Sequence, residues 1–140
     1  MNDMNDLVKI AMRRNPDTVI IHSGANDFTA NVDTVAELRR VTKMIKETRK
    51  ETKIAISLII ERNDQHKNRN SNIRQTNSKI KTFCQQNDID IIDHPTIDKS
   101  KHLSAVRKTK YGNKGGLHPN NLGNAEIAKS FMAYVNRNSN

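Results

Sequence analysis

The chain has no tryptophan, two tyrosines and three phenylalanines, so aromatic residues fill only 4% of its 140 positions. A core built from it must be aliphatic and modest, and there is no aromatic platform on which bases could stack. A single cysteine, Cys84, excludes an intrachain disulfide and any thiolate pair with metal-ligand spacing. Cys84 follows Ile80 and Phe83 in a helical apolar pattern, which predicts a buried thiol rather than a nucleophile. No apolar run is long enough to cross a bilayer, and the opening MNDMNDLVKIAMRRNP lacks the unbroken apolar segment of a signal peptide. The default expectation is a cytoplasmic protein with no membrane span. Acidic residues are the minority charge, 15 against 24 lysines and arginines, which leaves +9 and a pI near 9.9. That balance permits weak, salt-sensitive nucleic-acid binding. The basic residues are nevertheless scattered through RRVTKMIKETRKETK and RKTKYGNKGG, as in a solvated helix face followed by a basic loop.

Mean hydropathy is low at −0.80, yet the apolar residues fall in periodic blocks, which argues against general disorder. The length suits one domain over 1–140. Three isoleucine-rich runs, TVIIHS (18–23), KIAISLII (53–60) and IDIID (89–93), are too short for helices and suit strands buried on both faces. Helical periodicity fills the gaps. Val35, Leu38, Val41 and Ile45 line one face over 33–50, and Ile73, Asn77, Ile80 and Cys84 line another over 67–86. Asn77 on that apolar face predicts a buried hydrogen-bonding residue. An opening helix over 4–14 stops before Pro16, and a closing helix after Pro119 places Ile127, Phe131 and Val135 on one stripe. Alternation of this kind implies an α/β fold with a parallel sheet covered by helices. The segment 94–116 reads as a long, basic, irregular loop.

Two short motifs occupy informative places. GAND (24–27) ends the first strand, and GLHPNNLGNAEIA (116–128) enters the last helix. Parallel strands share one carboxyl edge, where Asn26 and His118 can converge. An amide donor can stabilise an oxyanion and an imidazole can act as general base. Ser23 precedes GAND without the Gly-x-Ser-x-Gly frame of an exposed nucleophile, so an end-of-strand role is favoured for it. His22, inside the strand, reads as a packed, hydrogen-bonded histidine. Asp93 and His94 are adjacent in an extended segment and point opposite ways. Asp98 could reach His118 only from the long loop. No cluster has metal-ligand spacing, and no cofactor is expected.

On these motifs, together with SLIIERND (57–64) and NSKIKTFCQQNDIDIIDHPTI (77–97), nearly the whole chain resembles the SGNH, or GDSL-type, hydrolases. The resemblance implies a three-layer α/β/α, flavodoxin-like fold with sheet order 2-1-3-4-5. Against that pattern the chain reads as a partial domain whose parallel sheet lacks the first two strands. The strand at 18–23 would then be an apolar edge open to self-association. The resemblance also implies an acyl-ester substrate, an oxyanion role for Asn26 and Gly24, and a catalytic role for His118 and Asn26. The departures matter as much. The family's Gly-Asp-Ser block, which carries the nucleophile, does not occur here, so the nucleophile stays unassigned. The acid expected three residues before His118 is replaced by Gly115. Two functions follow: an esterase-type domain that is catalytically incomplete, or a non-catalytic module that binds RNA, as some relatives do, or other anionic partners through its basic surface.

Overall fold

The computed structural model describes residues 2–22, 33–63, 69–104, 107–109, 112–114 and 118–138. The chain runs α1 (Asn2–Met12), β1 (Thr18–His22), α2 (Thr34–Thr48), β2 (Lys53–Ser57), α3 (Arg69–Gln86), β3 (Asp90–Ile92), α4 (Lys99–His102), β4 (Arg107–Thr109), β5 (Gly112–Lys114) and α5 (Asn121–Asn138). The first three strands form one parallel sheet in the order β1-β2-β3. The last two form a separate antiparallel hairpin. The expected α/β class and three parallel strands are therefore present. The segment expected to be irregular instead carries α4 and the hairpin.

Strand alternation divides the sheet into two unlike faces. Ile21, Ile56 and Ile91 stand side by side in register on the face covered by α1, α2 and α3. They join Val8, Leu38, Val41, Ile45, Ile73 and Ile80 in the main core. Each fully buried aliphatic side chain there is worth about 1.5–3 kcal/mol relative to exposure. The other face presents Ile20, Ala55 and Ile92 to Phe131 and Tyr134 of α5. The expected α5 stripe is turned slightly from its predicted setting. Tyr134 is buried, whereas Val135, expected in the core, is 41% exposed. Tyr134 wins because its hydroxyl reaches Asp90 Oδ2 at 2.6 Å.

Local chemistry sets the element ends. Asp33 caps α2 by accepting from the Ala36 N–H. Asp88 turns the chain out of α3 with φ 54°, and the Ile89 N–H returns to the Cys84 carbonyl at 3.0 Å. β2 ends at Ser57 instead of running to residue 60. Asn77 takes both the N–H and the carbonyl of Ile59, each at 2.9 Å, so no strand partner is required there. Asn70 serves Arg62 in the same way. The expected hydrogen-bonding role of Asn77 is thus observed. Cys84 is buried as expected, and burial with the nearby Asp90 charge pushes its thiol pKa up to about 11.

Among the described strands β1 lies at an edge of the sheet, as expected, but its apolar side chains are not uniformly open. Ile21 is buried, and Val19 and Ile20 are half-buried. Among the described residues, no helix is long and apolar enough to cross a membrane.

Candidate functional site

The carboxyl edge of the sheet is where a parallel α/β fold places chemistry. There the register sets His22 beside Ser57. Their side chains share the α5 face, and His22 Nδ1 lies 2.9 Å from Ser57 Oγ. From the end of β3, His94 brings Nε2 to 2.6 Å from the same oxygen. One buried hydroxyl thus joins two imidazoles from neighbouring strand ends. Phe131 of α5 covers the group, its ring centroid 5.8 Å from His22 and 5.9 Å from His94.

A serine hydroxyl carries one proton, so it donates to one imidazole while accepting from the other. Two arrangements satisfy it. Either His94 Nε2–H donates to Ser57, which donates to His22, or the chain runs in the opposite sense. Desolvation lowers the pKa of both histidines below the ordinary value, and for His94 the neighbouring His22 lowers it further, against an upward pull from Asp93. The pair is therefore neutral at neutral pH. The Asp93 carboxylate accepts from the backbone N–H of His94 at 2.8 Å, and both residues line one cavity at this edge.

His118 sits just before α5 and its residue is exposed. Its backbone is held firmly: its carbonyl accepts from the Ser104 N–H at 2.8 Å, and Pro119 bridges Leu103. Asn120 caps α5 by accepting from the Gly123 N–H at 2.9 Å, and its amide donates to the Lys101 and Leu103 carbonyls. A Cβ on Gly123 would fall 2.0 Å from the His102 carbonyl oxygen, so only glycine lets α5 start this close to α4. Asp98 is committed elsewhere as the α4 cap, accepting from the Ser100 N–H and hydroxyl. Those bonds hold its carboxyl below the usual carboxylate range. His102, which no sequence signal marked, accepts from the Asp98 N–H through Nδ1 at 2.8 Å.

Ser23, Gly24, Asn26 and Gly115 lie outside the described residues, as does the expected convergence of Asn26 with His118. Ser57 is the site residue that the sequence did not mark, and His94 stood out there only as a neighbour of Asp93. The available signal was a polar residue at the inward alternation of an isoleucine strand, since a buried hydroxyl must find a partner. Among the described residues, no group of three His, Cys, Asp or Glu side chains could hold a metal ion.

The fold is a parallel α/β domain, and comparison with known proteins gives its family. The model of the GDSL-like Lipase/Acylhydrolase family matches residues 3–126. The chain belongs to that family. A GDSL-like lipase from Bacteroides thetaiotaomicron superposes with TM-score 0.65 at 17% identity, over 88% of this chain and 63% of its own. A family 3 carbohydrate esterase from Clostridium thermocellum gives 0.64 at 16% identity, over 93% and 61%. The OSK domain of Drosophila Oskar gives 0.52 at 8% identity, over 83% and 60%. The chain thus spans less than two thirds of each of these structures. No curated protein matches it.

Proposed function

We propose that the chain is an acylhydrolase-type domain that retains the oxyanion and base positions, Asn26 and His118, but carries no working ester-hydrolysing machinery by itself. The observation that carries this reading is Gly115, three residues before His118, where the family pattern has an acid. Without that acid the imidazole lacks the family's carboxylate, which in hydrolase triads fixes the tautomer with a large effect on rate. The 140 residues also contain no Gly-Asp-Ser tripeptide to supply a nucleophile. Ser57 is a poor substitute. It is 1% exposed and its hydroxyl is engaged by two imidazoles, so an ester carbonyl has no approach to it.

Hydrolysis of p-nitrophenyl acetate by the purified chain, beside His118→Ala and Asn26→Ala, tests the proposal. All three should run at the background rate of a protein without a nucleophile. A fast parent abolished by both substitutions would overturn it, and Ser23 would then be the first residue to replace. The +9 charge supports a second reading, an RNA-binding module acting through its basic surface. Fluorescence polarisation with a single-stranded RNA should then show binding that weakens steeply with salt. No binding at low salt would remove that reading.

A further inference from the structure

Exposed apolar side chains gather on one side of the molecule. Among the described residues the large ones are Leu7, Ile10, Leu122, Met132 and Val135. All but Leu122 lie beside β1, whose outer edge has no neighbour among the described strands. On one face of the sheet α3 packs on β3, α2 on α3 and α1 on α2, so α1 is the helix nearest that edge. Asn5 of α1 turns to Arg40 of α2, and Met4, Val8 and Met12 turn to the core. The 3.6-residue period then sets Leu7, with Ile10 and Ala11 beside it, on the flank away from α2.

On the other face, α5 is divided lengthwise. Its charged residues, Glu126, Lys129 and Arg137, line a groove with Ile91 and Ile92 of β3. The opposite flank, formed by Asn124, Ala128, Phe131 and Val135, carries no charge, and Met132 adjoins Ala128 and Val135. Phe131 meets His22 at the carboxyl end of β1, and Asn138 meets Lys53 at the amino end of β2. The helix therefore runs against the strands and carries Val135 along β1. An uncharged flank of this length, in a chain of net charge +9 and beside an open strand edge, marks a pairing surface.

We propose that this edge pairs with a second copy of the chain, β1 antiparallel to β1 across a two-fold axis, to make one continuous sheet. The inference does not depend on the acylhydrolase reading. β1 is itself the kind of strand the gap accepts, with Val19 and Ile21 on one face and Ile20 on the other. Its backbone sets the register. The Asp17 carbonyl accepts from the Lys53 N–H at 2.8 Å. Residues 17, 19 and 21 thus direct their polar backbone groups to β2, while Thr18, Ile20 and His22 direct theirs outward. Centred on Ile20, the pairing sets Ile20 opposite Ile20 of the copy and Thr18 opposite its His22. Each of these is a hydrogen-bonded pair. The axis stands perpendicular to the sheet, so α1 meets α1 and α5 meets α5, apolar flank on apolar flank. The α5 charges stay on the far side. A strand of about 17 Å under three layers of about 30 Å gives a footprint on the order of 500 Å² a side, near the lower limit for a specific interface. The dimer should therefore be reversible, with a dissociation constant in the micromolar range.

Sedimentation equilibrium of the 140-residue chain, from about 5 to about 500 μM, brackets that constant and should show monomer and dimer alone. Leu7→Lys and Val135→Lys change exposed helix positions and bring like charges together across the axis, so each should weaken the dimer about tenfold or more. Ile20→Pro removes an outward N–H and none of the bonds to β2, and should abolish pairing. Leu122→Lys is the control. Leu122 is exposed too, but it shares the flank of Glu126 and Lys129, and its replacement should leave the constant within about twofold. A chain that stays monomeric at the highest concentration overturns the proposal and leaves the edge to a strand of different origin. Assembly that continues past the dimer overturns it as well. So does a Leu122→Lys effect as large as that of Val135→Lys, since the association is then nonspecific. Should Ile20→Pro fail to fold, undiminished dimers of Leu7→Lys and Val135→Lys overturn it.

Discussion

The two faces of the three-stranded sheet are made by alternate residues of the same short strands, yet they do different work. On one, Ile21, Ile56 and Ile91 lie in register under α1, α2 and α3. On the other, the neighbouring positions His22 and Ser57 join His94, and Asp90 meets Tyr134. A one-residue step along the chain separates dry packing from a hydrogen-bonded network. The first face stabilises without directional demands. The second must satisfy every donor and acceptor, so its residues are constrained in identity and in protonation.

The sharpest way to break that division is to damage the dry face. Ile56 is 1% exposed in the central strand and packs between the two edge strands. Ile56→Ala should cost about 2–5 kcal/mol, the range for cavity formation at a closed site. Urea unfolding should show a lower midpoint with an unchanged slope. A loss below about 1 kcal/mol would mean that the helices on this face collapse into the gap, and that the face is less tightly packed than its burial indicates.

The polar face should respond less in magnitude and differently with pH. Ser57→Ala removes the hydroxyl shared by both histidines and strands His94 Nε2 in a buried setting, for an expected loss of about 1–3 kcal/mol. The parent should also lose stability on mild acidification. Both imidazoles have folded pKa values below the ordinary 6.5. The unfolded chain therefore takes up protons first as pH falls through about 6.5. Their contribution is fully present above that value and is lost as pH falls through the lower folded values. Unfolding midpoints measured between pH 8 and pH 5 give the sign, and stability that rises on acidification would contradict the neutral histidine pair.

The dry face was legible in the sequence because isoleucine runs of strand length and 3.6-residue stripes are redundant signals. Losing one residue from Val35, Leu38, Val41 and Ile45 would not hide the pattern. The polar face was legible only in part. His22 and Asn77 could be read as hydrogen-bonding residues from their apolar surroundings. That Ser57 pairs with both His22 and His94 follows from the register, which brings together residues 35 and 37 positions apart. The β4–β5 hairpin had no signal to read, since RKT and GNK carry no alternating apolar side chains. Extending β2 to residue 60 failed for a related reason. Leu58 and Ile59 are as apolar as a strand requires, and the Leu58 N–H still reaches the Ile92 carbonyl, but at Ile59 the Asn77 amide supplies the backbone bonds that a neighbouring strand would have made. The family resemblance was legible as local sequence, and the family model matches residues 3–126.

The smallest expected effect distinguishes a polar contact that is essential from one that has support. Tyr134 donates from its phenol to Asp90 Oδ2 at 2.6 Å, and desolvation with the Asp90 charge pushes its pKa up, so it remains a donor. Tyr134→Phe keeps the ring against Ala55 and Ile92 and removes only the hydroxyl. Asp90 is not then abandoned, because Lys53 Nζ stands 3.8 Å from the same carboxylate oxygen. Lys53 is itself held by Asn138 Oδ1 at 2.8 Å. The carboxylate is also 40% exposed, which lets water replace the phenol. The expected loss is therefore about 0.5–1.5 kcal/mol, and nearer the lower end. Chemical denaturation of Tyr134→Phe beside Ser57→Ala measures the contrast directly. A Tyr134→Phe loss as large as that of Ser57→Ala would show that the pin between α5 and β3, rather than the histidine–serine chain, holds the polar face together.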